Sequence, residues 1–251
     1  MGGWTSLLLL MWLGVAGSKT VDLQKRILGG QPCDRPYHVI ITDYQDKFVC
    51  GGSLISGRWV LTAAHCWIWD MNVVIGWNTQ KPIIMRISAP PVMYGDNNNM
   101  IHDIMLLKLP LQVLGATLIA LPSCNNPLRV GDVVQIVGHG ATTIRPDYKK
   151  KSEFSPNLQC ANIKADHCPW KGNPSHYYPW PHHHMFCGQT PGVDVCPGDS
   201  GGGVVFPDAT DHTPRIYGVI STTGELVCSA PVGFMDVCSY MQWITTTINR
   251  P

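Results

Sequence analysis

Charge is scarce in this 251-residue sequence: Asp, Glu, Lys and Arg make up 14% of it, and the formal net charge is +1. No basic tract suited to nucleic acid or to an anionic membrane surface is present. Long apolar runs are missing too. The longest, Leu7 to Leu13, falls well short of the roughly 18 residues a membrane-spanning helix needs. No Cys-x-x-Cys pair occurs, which argues against the usual zinc frameworks. No Asn-x-Ser/Thr acceptor occurs either, since Asn173-Pro174-Ser175 is excluded by its proline. Internal repeats and low-complexity tracts are lacking beyond Pro181-His182-His183-His184.

What the sequence does have is cysteine. Ten cysteines run from Cys33 to Cys238, an even number that reads as a disulfide framework formed in an oxidising compartment. The N-terminus agrees. The Leu7–Leu13 run is followed by Val15, Ala16, Gly17 and Ser18, the pattern of a signal peptide over residues 1–17. Residues 18–26 end in Lys25-Arg26 and read as a propeptide. Its removal takes 18 basic and 17 acidic residues to 15 and 16, through loss of Lys19, Lys25, Arg26 and Asp22. The mature chain is expected to be secreted, extracellular or stored in granules, and monomeric.

From there the pattern is short β-branched and aromatic runs bounded by Gly, Pro or Asp: 37–42, 53–55, 59–62, 133–137, 202–206 and 215–221. That spacing predicts an all-β sandwich or barrel. Only the end reads as helix. Tyr240, Trp243, Ile244 and Ile248 share a face, Ser239 is placed to cap the start, and Arg250 suits the C-terminal dipole.

Gly198-Asp199-Ser200-Gly201-Gly202 carries the strongest chemical signal. A nucleophilic serine needs backbone amides aimed at the developing oxyanion, and glycines let the chain turn that sharply. The serine also needs a base, and the base an orienting acid. Leu61-Thr62-Ala63-Ala64-His65-Cys66 offers the base, with Cys66 able to bond Cys50 and fix the loop. His102-Asp103 leads into the apolar Ile104-Met105-Leu106-Leu107 and offers the acid. Taken singly, His65 and Asp103 have ordinary structural readings. The order His, Asp, Ser changes that.

With these motifs the sequence resembles the trypsin/chymotrypsin family of serine proteases. Ile27-Leu28-Gly29-Gly30 is similar to the family's mature N-terminus, and Cys50 to Ile55, Trp59 to Cys66, the Asp103 strand and the Ser200 loop follow in family order. The resemblance runs from Ile27 to about Asn249. It implies two six-stranded antiparallel β-barrels, about 27–130 and 131–238, with a C-terminal helix over about 239–249 and the active site between the barrels. It implies that Ser200 attacks a peptide carbonyl, His65 takes the proton, Asp103 holds the imidazole, and the amides of Gly198 and Ser200 form the oxyanion hole. Cleavage after Arg26 by a trypsin-like protease would free the Ile27 amine to pair with Asp199. Family positions further imply the pairs Cys33–Cys160, Cys50–Cys66, Cys124–Cys238, Cys168–Cys187 and Cys196–Cys228.

The resemblance departs at the specificity pocket. Asp194 falls where trypsin-like members carry the acid that binds a substrate Lys or Arg, and Ser221 matches the serine opening the substrate-pairing segment. Two positions that are glycine in those members are Thr223 and Val232, a filling similar to that of elastases. Preference for Arg or Lys is the leading expectation. An elastase-like preference for small residues, or a catalytically silent homologue serving as a binding protein, are the alternatives. His139 and Thr222 stand where tryptophans are usual. The segment between Cys66 and Asp103 is short, with Asp70 and Asp96 as its only acids, so no calcium loop is expected. The segment between Cys168 and Cys187 is long, rich in His, Tyr and Trp, and expected to overhang the cleft. No cofactor or metal is expected; the partners are protein or peptide substrates, the activating protease and protein inhibitors.

Overall fold

A computed structural model describes residues 27–141, 145–150, 154–169, 184–209 and 211–250. The proposed signal peptide and propeptide, and all but the ends of the aromatic, His-rich segment between Cys168 and Cys187, lie outside the described residues. Fourteen strands are present among those described. In chain order they are β1 (Gln31–Pro32), β2 (His38–Thr42), β3 (Phe48–Ser56), β4 (Trp59–Thr62), β5 (Asn72–Ile75), β6 (Ile83–Arg86), β7 (Val92–Gly95) and β8 (Ile101–Lys108). The second half adds β9 (Val133–Gly138), β10 (Gln159–Asp166), β11 (Met185–Gln189), β12 (Gly203–Pro207), β13 (Pro214–Thr222) and β14 (Val232–Asp236). One helix, α1 (Met241–Ile248), follows a 3-10 turn at Val237–Tyr240.

The strands form two antiparallel sheets. The second closes on itself: β10, β11, β14, β13, β12 and β9 pair in turn, and β9 pairs back to β10. The first is a curled sheet in the order β6-β5-β2-β3-β4-β8-β7. Register shifts in β2–β3, β3–β4 and β7–β8 supply the bending that lets it curl. β1 leaves the first half of the chain and pairs with β10 of the second sheet.

Burial explains why these segments are strands. All five residues of β2 and all four of β4 are buried, and in β8 the run from His102 to Leu107 is buried. In β10 the period-two pattern is explicit: Ala161, Ile163 and Ala165 point inward while Asn162, Lys164 and Asp166 point out. One apolar cluster, with Leu54, Val60, Leu61, Ile104 and Leu106, fills the first sheet, and Tyr240 and Ile244 of the C-terminal segment join it. A second, with Ile27, Val134, Ile136, Val204 and Phe234, fills the barrel.

Two expectations are corrected in detail. Ser239 does not cap α1. It lies inside the 3-10 turn, whose cap is Asp236: its carboxylate accepts from the Cys238 amide (3.1 Å) and from Ser239 Oγ (2.9 Å). The bonds Cys33–Cys160, Cys50–Cys66, Cys124–Cys238 and Cys168–Cys187 are formed, but Cys196 and Cys228 are free thiols. Cys228 sits in left-handed backbone (φ 53°), its amide is spent on Asp194 Oδ2 (2.7 Å), and its thiol turns toward the Val193 carbonyl (3.9 Å). With the Cys228 thiol against that carbonyl, the expected bond to Cys196 is not formed.

Candidate active site

The site lies on the seam between the sheets. His65 rides on a 3-10 turn, Ala64–Cys66, directly after β4, and the Cys50–Cys66 bond ties that turn to β3. Asp103 is the third residue of β8, whose pairing with β4 brings it under the turn. Asp103 is 1% exposed and fully engaged. Its Oδ1 accepts the His65 backbone amide (2.9 Å), its Oδ2 lies 2.8 Å from His65 Nδ1, and Ser221 Oγ donates to Oδ2 (2.5 Å). One carboxylate therefore fixes both backbone and ring of the histidine, leaving Nε2 as the free ring nitrogen. The His65 side chain is about one-third exposed, so that nitrogen is accessible from the cavity.

Ser200 comes from the loop before β12. Gly51 donates its amide to the Ser200 carbonyl (2.8 Å), and Gly201 donates to the Ile220 carbonyl (2.8 Å). The loop is thereby stitched to β3 of one sheet and β13 of the other. Its glycines are structural requirements. Gly198 has φ +101° and a Cβ there would lie 2.6 Å from the Phe48 ring. Gly201 has φ +77° and a Cβ would lie 2.4 Å from the Gly51 carbonyl oxygen. No side chain fits either place.

Asp199, next to the serine, is completely buried. Its carboxylate accepts the amides of Gly140 (2.7 Å) and Cys196 (2.8 Å). Burial pushes its pKa up to about 7, against the pull of those two amides and of the Lys150 charge. Ile27 is buried in the barrel cluster. His139, in place of the usual tryptophan, stacks on Phe154 (ring centroids 5.1 Å apart) and meets the Ser155 carbonyl through Nδ1 (2.8 Å). Burial lowers its pKa to about 4, so it is neutral packing at physiological pH.

His65, Asp103, Ser200 and Ser221 line one cavity of about 500 Å³, which continues past Val195, Ile220 and Thr223. Two of the expected substrate-binding residues are not at its surface. Val232 is buried in the barrel cluster beside Ile27 and Phe234. Asp194 is 1% exposed and every oxygen has a partner. Oδ1 accepts from the Val195 amide (2.8 Å) and Thr223 Oγ1 (3.1 Å), while Oδ2 accepts from the Cys228 amide (2.7 Å). A fourth partner is one that the sequence does not signal. Lys150 Nζ lies 2.8 Å from Asp194 Oδ2 and 2.6 Å from Thr223 Oγ1, and Lys150 itself lines the cavity. A lysine in a loop is ordinarily solvated, and nothing in the Lys149-Lys150-Lys151 run signals a partner 44 positions on.

His65, Cys50 and Cys66 also cluster closely enough to suggest metal ligands. The two sulfurs are bonded to each other, so no thiolate is available and the group is not a metal site.

A barrel and a curled sheet meeting at a histidine, an aspartate and a serine define a protease of the chymotrypsin-like fold. The profile of the Trypsin family matches residues 27–244. Human kallikrein-8 is 29% identical over 264 residues, covering 98% of this chain and 94% of the relative. Beta-fibrinogenase of Macrovipera lebetinus is 31% identical over 247 residues, covering 88% and 87%. Among solved structures, neuropsin, a serine protease expressed in the limbic system of mouse brain, superposes with a TM-score of 0.71 at 26% identity, covering 89% of this chain and 100% of the other. The chain belongs to the trypsin family of serine proteases, and is a serine-type endopeptidase, a hydrolase.

Proposed function

We propose that the protein is a secreted zymogen whose activated form cleaves peptide bonds through an acyl-enzyme on Ser200. The observation that carries this reading is the grip of Asp103 on both the amide and Nδ1 of His65, in the cavity that Ser200 shares. Asp103 holds the tautomer with a proton on Nδ1, so Nε2 is the base. Nε2 accepts the Ser200 proton as Oγ bonds to the substrate carbonyl carbon, and the carbonyl oxygen becomes an oxyanion held by the amides of Gly198 and Ser200. The imidazolium then protonates the departing amine as the C–N bond breaks. Water, deprotonated by the same nitrogen, releases the acid and restores Ser200.

Residues 1–17 act as the signal peptide and residues 18–26 as the propeptide. Cleavage after Arg26 frees the Ile27 amine. The buried Asp199 carboxylate, uncomfortable without a cation, is its counter-ion. Pairing the two would pull the Gly198–Ser200 loop into the oxyanion-binding form. Asp194 is the feature that supports preference for Arg or Lys in the substrate, and its ion pair with Lys150 opposes that preference.

The test is a cleavage profile of the Arg26-processed protein on a peptide library. Cleavage is expected, abolished by Ser200→Ala and absent before processing. A processed, folded protein that cuts nothing would favour the silent binding homologue.

A further inference from the structure

The base of the specificity pocket is already occupied by the protein's own cation. The Lys150 side chain is 4% exposed and the Asp194 side chain 2%, so both are buried, with Lys150 on the side of the cavity. The ammonium has two short oxygen contacts, Asp194 Oδ2 at 2.8 Å and Thr223 Oγ1 at 2.6 Å. Thr223 then donates onward to Asp194 Oδ1 at 3.1 Å, completing a three-residue ring of contacts. The backbone carrying Lys150 is held in place as well. Lys149 pairs with Leu226 in an antiparallel bridge, and the Val227 amide donates to the Tyr148 carbonyl (3.1 Å). Loop 145–150 is thus clipped to the 223–228 segment that forms the pocket wall.

We propose that Lys150 is the specificity-determining residue of this protease: it silences Asp194, so the pocket takes uncharged side chains and rejects Arg and Lys. This rests on the peptidase reading above. Asp194 does not line the cavity, whereas Lys150, Thr223, Val195 and Ile220 do. An arriving guanidinium or ammonium finds Lys150 in the cavity wall, and Asp194 behind it. To reach Asp194 it must displace a buried cation tethered at an effective concentration on the order of millimolar or above. The exchange gains nothing, because one ion pair is traded for another while the incoming charge is still desolvated. Arg145 and Lys149 also line the cavity, against Glu225, an excess of positive charge that disfavours cations. Thr223 acts through this arrangement too: it bridges acid and lysine, where the sequence suggested only a steric wall.

The probe is benzamidine, an aryl amidine whose two parallel N–H donors match a carboxylate, measured by titration calorimetry without turnover. The proteins are the processed wild type, Lys150→Ala, Lys150→Met and Lys150→Ala/Asp194→Ser. Removing the lysine exposes a carboxylate that keeps three other donors, so the variants are expected to fold, with circular dichroism as the check. Weak binding is expected for wild type, and binding roughly 100-fold tighter or more for both single variants, the scale of a desolvated charge pair gained. The double variant should lose that gain. In parallel, kcat/KM for substrates with Arg at the scissile position should rise in the single variants relative to Ala or Leu substrates. Wild type that binds benzamidine as tightly as Lys150→Ala, or a gain that survives loss of Asp194, would overturn the proposal. Failure of every protein to cleave any peptide would count against the peptidase reading alone, because the amidine titration decides the role of Lys150 independently.

Discussion

Asp199 gives the unprocessed protein a pH dependence that its Asn variant lacks. The carboxyl is fully buried, and burial raises its pKa from the ordinary 3.8 to about 7. Below pH 3.8 it is protonated in folded and unfolded chains alike. Between 3.8 and 7 the unfolded chain releases the proton and the folded chain keeps it, so the stability this proton confers is lost as pH rises toward 7. Three units correspond to about 4 kcal/mol. Asp199→Asn has no such proton, but its amide offers one acceptor oxygen where Gly140 and Cys196 now use two. One buried N–H is orphaned at a cost of about 1–3 kcal/mol. The variant should be the less stable protein near pH 4 and as stable as the parent, or more so, at pH 8. The assay is urea unfolding with disulfides intact, on chains carrying Arg26→Gln and Ser200→Ala to prevent processing and autolysis. A stability difference between the two proteins that stays constant from pH 4 to pH 8 would refute the reasoning.

Further outcomes follow from the same geometry. In the processed enzyme, pairing with Asp199 should lift the Ile27 amine above its ordinary pKa near ~8, so activity holds below the raised value and falls as pH climbs through it; a profile flat to pH 11 would contradict this. Ser221→Ala removes one of the donors to Asp103 and should lower kcat/KM by about tenfold with little change in melting temperature, with partial recovery in Ser221→Thr. A calcium chelator should leave the melting temperature unchanged. Asp70 is paired with Arg86 (2.7 Å), and Asp96 accepts the amides of Asn98 and Met100 in its own turn. Thiol titration in denaturant should find two free cysteines per chain, from Cys196 and Cys228.

The parts of this molecule legible in its sequence are those where chemistry or covalent geometry allows few substitutes. Gly198 and Gly201 announce the serine loop because no other residue fits their backbone and neighbours. β2, β4 and β13 announce themselves as β-branched runs because both faces or one whole face must be apolar. β6 is not legible in the sequence, since Ile83, Ile84 and Arg86 are exposed and only the pairing with β5 makes it a strand. β10 alternates cleanly, but Ala, Asn and Lys are poor advertisements for a strand. The pocket was the least legible part. Asp194, Thr223 and Val232 could be aligned with a family pattern, but position in a pattern does not say which side chain reaches the cavity. Val232 went to the core and Asp194 behind Lys150, because an unpaired buried carboxylate is costly and a nearby flexible lysine can relieve it.

The most direct measurement is a fluorophosphonate adduct mapped by mass spectrometry, before and after cleavage at Arg26. One equivalent of label is expected on Ser200 of the processed protein, with little on the unprocessed chain and none on processed His65→Ala or Ser200→Ala within the same time. A processed, folded protein that takes up no label, or that carries it on a serine other than Ser200, would contradict the assignment of Ser200 as the nucleophile.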